Sequence, residues 1–173
     1  DAGERSDVRT ITVGQDEGGT GESPSPHFFA ETVDFTCIHN WWLNDDLVWD
    51  NVMSKPPGKA NLVEETGVMF YETLEGGAWR SEQEASNLLE RKLAVALGAG
   101  GAGFIEWVWN TNPYMMSDNE AAIGLHRADG TAKPELAPVE RFAAFFKANR
   151  HLMTGRRAAP VLMVIPHTQQ FST

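Results

Sequence analysis

Ala60-Asn61-Leu62-Val63-Glu64-Glu65-Thr66-Gly67 runs from an apolar pair into two acids and then meets a glycine. A short apolar run closed by a turn residue has the signature of a buried strand. Acids at the C-terminal end of such a strand are costly to bury without partners, so they mark a site more often than a core. Glu65 is the candidate catalytic carboxylate. Its plain alternative is an ion-paired acid at a strand end. By strand alternation Glu64 points to the opposite face, as a structural acid between sheet and helix with a basic partner. A register one residue off exchanges the two roles.

The elements on either side alternate in type. Upstream, Val33-Asp34-Phe35-Thr36-Cys37-Ile38-His39 reads as a strand ended by Asn40-Trp41-Trp42. Before it, Val8 to Val13 is another strand, leading into a Gly/Pro/Ser-rich loop that carries Asp16 and Glu17. Asn44-Asp45-Asp46 caps a short helix that Pro56-Pro57-Gly58 stops. Downstream, Ser81 and Glu84 form a capping box ahead of Ala85, Leu88, Leu89, Leu93, Ala96 and Leu97, an apolar face at helical spacing. Gly98 to Gly103 matches the letters of a dinucleotide-binding loop. It follows a helix and precedes a strand, the reverse of what phosphate binding needs, so it predicts a helix cap with close backbone packing and no cofactor. Gly103 to Trp109 is a strand, Ala128-Asp129-Gly130-Thr131 a tight turn, and Pro134 to about Leu152 a last helix. Residues 154–159 read as a hinge, and Pro160 to Pro166 as the first strand of a further domain, which divides the chain at 153/154.

Strands alternating with helices imply parallel pairing through crossovers, an α/β fold. The units present amount to half of a (β/α)8 barrel, which typically needs about 250 residues. An open doubly wound sheet fits the same order. Polar and aromatic residues at four successive strand ends favour the barrel, which gathers them around one axis: Gln15-Asp16-Glu17, His39-Asn40-Trp41, Glu64-Glu65 and Trp107-Trp109-Asn110.

Composition narrows the partners. The net charge of −10 argues against nucleic acid, which needs a basic face, and against an anionic membrane surface. No run approaches the roughly 18 apolar residues of a spanning helix. Cys37 is the single cysteine, so it forms no internal disulfide and leaves the redox compartment open. The six tryptophans include two short clusters, Trp41-Trp42 and Trp107/Trp109, and these suit sugar-stacking surfaces or, alternatively, core packing. His27, His126, His151 and His167 show no metal-ligand spacing around His39, so no metal is expected. The plain alternative for His39 is a satisfied core histidine. No Gly-x-Ser-x-Gly occurs, and Cys37 lies mid-strand, so a Ser or Cys nucleophile is not expected.

At these residues the chain resembles glycoside hydrolase clan A, the retaining (β/α)8 glycosidases, in its cellulase and mannanase-type family 5, with some likeness to family 42 β-galactosidases. The likeness runs from about Val8 to Leu152. Glu65-Thr66-Gly67 resembles the clan's Glu-aromatic-Gly at the end of barrel strand seven, with Thr in the aromatic place. His39-Asn40-Trp41 resembles the His-x-Tyr that ends strand six, without the tyrosine hydroxyl. Trp107 or Trp109 stands where a strand-eight tryptophan floors the cleaved subsite. Ile123-Gly124-Leu125-His126 through Asp129-Gly130 to Lys133-Pro134 is similar to the segment before the clan's last helix.

The resemblance implies the C-terminal half, strands five to eight, of a retaining β-glycosidase barrel. Its acid/base glutamate would come from the N-terminal half, as a missing or separate chain. The expected partner is a carbohydrate, with Glu65 as nucleophile and His39, Trp41, Trp107, Trp109, Asn110 and Glu17 as substrate-binding candidates. Asp16 and Glu17 either bind sugar hydroxyls or solvate their loop. Two rivals stand beside this reading: a catalytically inactive carbohydrate-binding barrel, and an unrelated α/β domain with Glu65 as a structural ion-pair partner. A retaining mechanism needs two carboxyls about 5–5.5 Å apart, one attacking the anomeric carbon and one protonating the leaving oxygen. The attacker must be ionised, and His39 at the adjacent strand end is placed to donate to it.

Overall fold

The computed structural model describes residues 31–40, 51–52, 54–70, 80–114 and 122–153. The expected strand Val8–Val13, the start of the short helix at Asn44 and the segment from 154 onward lie outside the described residues. Within them, β1 (Phe35–Asn40), β2 (Ala60–Thr66) and β3 (Gly103–Glu106) form a parallel sheet in the order β1-β2-β3. Helix α1 (Glu82–Gly98) is the crossover between β2 and β3, and α2 (Leu136–Met153) follows β3. The fold is the expected α/β type.

Parallel strands joined through a helix are covered on the helix side, and the residues of that side are the most apolar. Ile38 and Val63, neighbours in the β1/β2 register, are fully buried. They pack with Ala96 of α1, and Val95 and Phe104 close over them. A second cluster joins α1 to the chain after β2: Ala85, Leu89 and Leu93 meet Val68, Phe70 and Leu125. At the strands' N-terminal ends the buried contacts are polar. Thr36 Oγ1 shares its one proton between the Ser54 carbonyl at 2.8 Å and Asn61 Oδ1 at 2.9 Å, and Asn61 Nδ2 donates to Asn51 Oδ1 at 3.2 Å.

α1 starts where its capping box predicts. Ser81 Oγ accepts from the Glu84 backbone N–H at 3.2 Å, and the Ser81 N–H is bound by Glu84 Oε2 at 2.8 Å. At its other end the glycine run makes the turn into β3. Gly100 has φ +93°, and a Cβ on Gly101 would lie 2.7 Å from Asn51 Oδ1 and 2.8 Å from the Ala96 carbonyl. Both observations fit a cap with close backbone approach.

β3 is shorter than expected, ending at Glu106 instead of Trp109. Trp107 N–H still donates to the Thr66 carbonyl at 2.8 Å. Beyond it the backbone takes a different partner: Val108 and Trp109 carbonyls accept from the Leu125 and His126 N–H groups, each at 3.0 Å. The Trp107–Val108 peptide is cis.

The chain divides into two compact units, Asp1–Phe142 and Ala143–Thr173, and the division falls inside α2. The first holds the sheet. In the second, the Phe145 and Phe146 rings meet edge to face at 6.3 Å and Asn149 Nδ2 donates to the Phe145 carbonyl. Neither described helix is long and apolar enough to cross a membrane.

Leu89 is fully buried at the centre of the larger cluster. Leu89→Ala is expected to destabilise the protein by about 2–5 kcal/mol, read from the urea midpoint at constant m. Asn87→Ala, on the exposed side of the same helix, is the control, with a change within about 0.5 kcal/mol.

Candidate active site

The acids of β2 sit at an irregularity in the sheet. Ile38 is paired with Val63, but His39 is paired with Glu65, so β2 spends one more residue than β1 over the same step. The same happens on the other side, where Val63 pairs with Phe104 and Thr66 with Glu106. This is a bulge in the central strand. It changes which acid shares a face with His39. Val63 is on the helix side, and unbroken alternation from Val63 would carry Glu65 to that side as well. The extra residue resets the phase. Glu65 lies beside His39, with Oε2 3.8 Å from His39 Nδ1, and both side chains keep roughly a fifth of their surface open.

This distance exceeds a hydrogen bond. It is an ion-pair distance only when both imidazole nitrogens carry protons. The two residues expected to act together are therefore neighbours, but without the direct donation expected of His39. Glu64 differs from expectation as well. Alternation alone does not set its face, since it is the bulged residue, and its Oε2 is buried with no hydrogen-bond partner among the described residues.

Beneath the strand ends lies a residue that sequence reasoning passed over. Lys92 of α1 is buried, and its Nζ donates to the Gly67 carbonyl at 2.8 Å, the Asn40 carbonyl at 3.2 Å and Thr66 Oγ1 at 3.4 Å. Thr66 Oγ1 in turn donates to the Asn40 carbonyl at 2.8 Å. One ammonium thus ties the ends of β1 and β2 just past His39 and Glu65. Its charged neighbours include Glu106, across from Thr66 on β3, and Arg80. Burial pushes Lys92 down to about 8 from 10.5, with the Glu106 charge opposing the shift. Burial pushes Glu106 up to about 8 from 4.5, with the Lys92 charge opposing it.

After β3 the tryptophans are held from the far side of the loop. Trp107 is 43% exposed and Trp109 66%. Asn110 is exposed and pairs with His126 in an isolated bridge. The Trp109 and His126 rings lie 4.4 Å apart, centroid to centroid, tilted by 36°. Gly124 makes this approach possible: its φ is +133°, and a Cβ there would meet Thr111 N at 2.6 Å. His126 is the second residue missed. Its ring partner lies 17 positions away, and no local pattern announces such a contact. Trp41 and Glu17 lie outside the described residues. Among the described residues no group of three or more His, Cys, Asp or Glu is arranged to hold a metal ion.

No protein-family model and no curated protein matches this chain. Solved structures do. The chain is similar to a GH5_18 protein of Bifidobacterium longum subsp. longum in complex with Manβ1-4GlcNAc, at 17% identity over 86% of this chain and 38% of that one, TM-score 0.58. A GH5_18 protein of Streptomyces cattleya, also in complex with Manβ1-4GlcNAc, matches at 15% identity over 87% of this chain and 39% of that one, TM-score 0.57. An exo-β-1,4-mannosidase from Opitutaceae bacterium strain TAV5 matches at 17% identity over 79% of this chain and 26% of that one, TM-score 0.50. The chain spans less than two-fifths of the length of each. At such identities the likeness establishes fold alone: this chain has the α/β fold of part of a TIM barrel.

The pair beneath the strand ends gives stability a pH signature. Between 4.5 and about 8, Glu106 is protonated in the fold and ionised when unfolded, so its contribution is present below 4.5 and lost as pH rises through 8. Lys92 acts in the opposite sense: its contribution is present above 10.5 and lost as pH falls through about 8. The pair's joint contribution is therefore lowest near pH 8. Glu106→Gln is expected to gain stability relative to the parent at pH 8 over pH 5, by urea denaturation at both values. An unchanged difference would contradict the assignment.

Proposed function

We propose that this chain is the C-terminal half of the catalytic (β/α)8 barrel of a retaining β-glycosidase, with Glu65 as nucleophile. The observation that carries the reading is the pairing of Glu65 with His39 at the C-terminal ends of adjacent parallel strands. Trp107 continues the row from the next strand, bonded to the Thr66 carbonyl. In barrels this edge of the sheet is where catalytic residues gather. The carboxylate is partly open, so a sugar can reach it, and the imidazole is close enough to orient it when bound substrate draws the two together. Trp107 and Trp109 offer apolar ring faces of the kind that stack on sugar C–H surfaces.

In the proposed reaction Glu65 attacks the anomeric carbon and the aglycone leaves with a proton from the second carboxyl. Water then cleaves the glycosyl ester, with that second carboxyl now acting as base. The acid/base glutamate belongs to the other half of the barrel, which is this chain's expected partner. Two of the similar structures hold Manβ1-4GlcNAc and a third is a β-1,4-mannosidase, so β-mannosides are the first substrate class to test.

The deciding experiment is Glu65→Gln in the full-length polypeptide, assayed on aryl β-mannosides and β-1,4-mannobiose. The variant is expected to lose at least about 10³-fold in kcat/KM, with folding unchanged by circular dichroism. Activity near that of the parent would refute Glu65 as nucleophile. Sugar binding with no hydrolysis in either protein would instead favour a carbohydrate-binding barrel.

A further inference from the structure

Trp109 is 66% exposed, so burial does not fix its indole. Among the described residues, the ring that meets it is that of His126. The His126 ring lies 4.4 Å from the Trp109 ring. The His126 backbone N–H donates to the Trp109 carbonyl at 3.0 Å, and His126 Nδ1 sits 3.2 Å from the same oxygen. A carbonyl only accepts, so the ring contact is a hydrogen bond when the proton is on Nδ1, which leaves Nε2 with a lone pair. His126 is itself pinned by Thr111 N–H donating to its carbonyl at 2.8 Å and by bridges to Asn110 and Ala132.

We propose that His126 is a positioning residue, one that presets the Trp109 indole as a stacking platform for a pyranose ring. An exposed tryptophan without a brace samples several rotamers and must lose them when a sugar binds. Held against His126, the indole has lost them already, while most of its surface stays exposed. Trp107, two residues earlier, is less exposed and has its backbone tied to β2, so Trp109 serves a second sugar unit, away from the strand end. The platform takes the apolar C–H face of a β-linked pyranose. The inference rests on the proposed carbohydrate site but not on Glu65 as nucleophile.

The test uses the full-length polypeptide with 5-fluorotryptophan incorporated, in the Glu65→Gln background, titrated with β-1,4-mannobiose and followed by fluorine NMR. The Trp109 signal, assigned by its loss in Trp109→Phe, is expected to shift saturably. His126→Ala should weaken binding by about threefold to tenfold and broaden the Trp109 signal of the free protein. His126→Phe, which keeps a ring against the indole, should restore most of the affinity. The proposal is overturned by a Trp109 signal that mannobiose does not move, by His126→Ala binding as the parent does, or by His126→Phe binding no better than His126→Ala. If His126→Ala does not fold, the comparison of His126→Phe with the parent decides, and a more than tenfold loss overturns it. The proposed chemistry fails separately: a Glu65→Gln variant that still hydrolyses mannobiose removes Glu65 as nucleophile and leaves the platform standing.

Discussion

One extra residue in the central strand decides which acid lies beside His39. A parallel strand offers its two faces alternately, and Val63 is committed to the helix side by its packing with Ile38 and Ala96. A regular strand would bring Glu64, not Glu65, onto the face that His39 occupies. The bulge at Glu64 reverses this and sets Glu65 at 3.8 Å from His39. It does so at the strand's C-terminal end, where a change of direction disturbs the fewest ladder bonds.

The strand ends just past the bulge are held from the helix side. Lys92 donates to the Asn40 and Gly67 carbonyls, at the C-terminal ends of β1 and β2 just past the irregularity. The cost is a buried ammonium with a buried carboxyl, Glu106, nearby. Burial shifts both in the direction that favours the neutral form, and each opposes the other's shift. Position on the far side of the sheet strands separates this pair from Glu65 and His39. The sheet therefore carries a structural ionisable layer beneath its candidate site. A similar economy holds the loop after β3: Gly124 lets two backbone segments approach, and His126 then reaches Trp109.

Much of this was legible in the residue pattern, where the signal is local. The capping box at Ser81 and Glu84, the turn made by the glycine run and the parallel strands all follow from spacing within a few residues. The bulge did not. Alternation separates Glu64 from Glu65, and the structure reaches the His39–Glu65 neighbourhood by breaking that alternation. Lys92 had left a trace: it falls on the same helix face as Ala85, Leu89 and Ala96, and a lysine on an apolar face calls for buried acceptors. The Trp109–His126 stack had none, because the two meet only through the long-range pairing of their segments. The end of β3 was overextended for the same reason. The apolar residues up to Trp109 suit a strand, but their backbone bonds to the segment around Leu125.

The central claim is that the bulge presents Glu65, not Glu64, to the sugar. Trapping the glycosyl ester tests this most directly. The full-length polypeptide would be treated with a 2-deoxy-2-fluoro β-mannoside bearing a dinitrophenolate leaving group, digested, and mapped by tandem mass spectrometry. A fluoroglycosyl adduct on Glu65 is the predicted result. An adduct on Glu64, or on a carboxylate outside β2, would contradict the account.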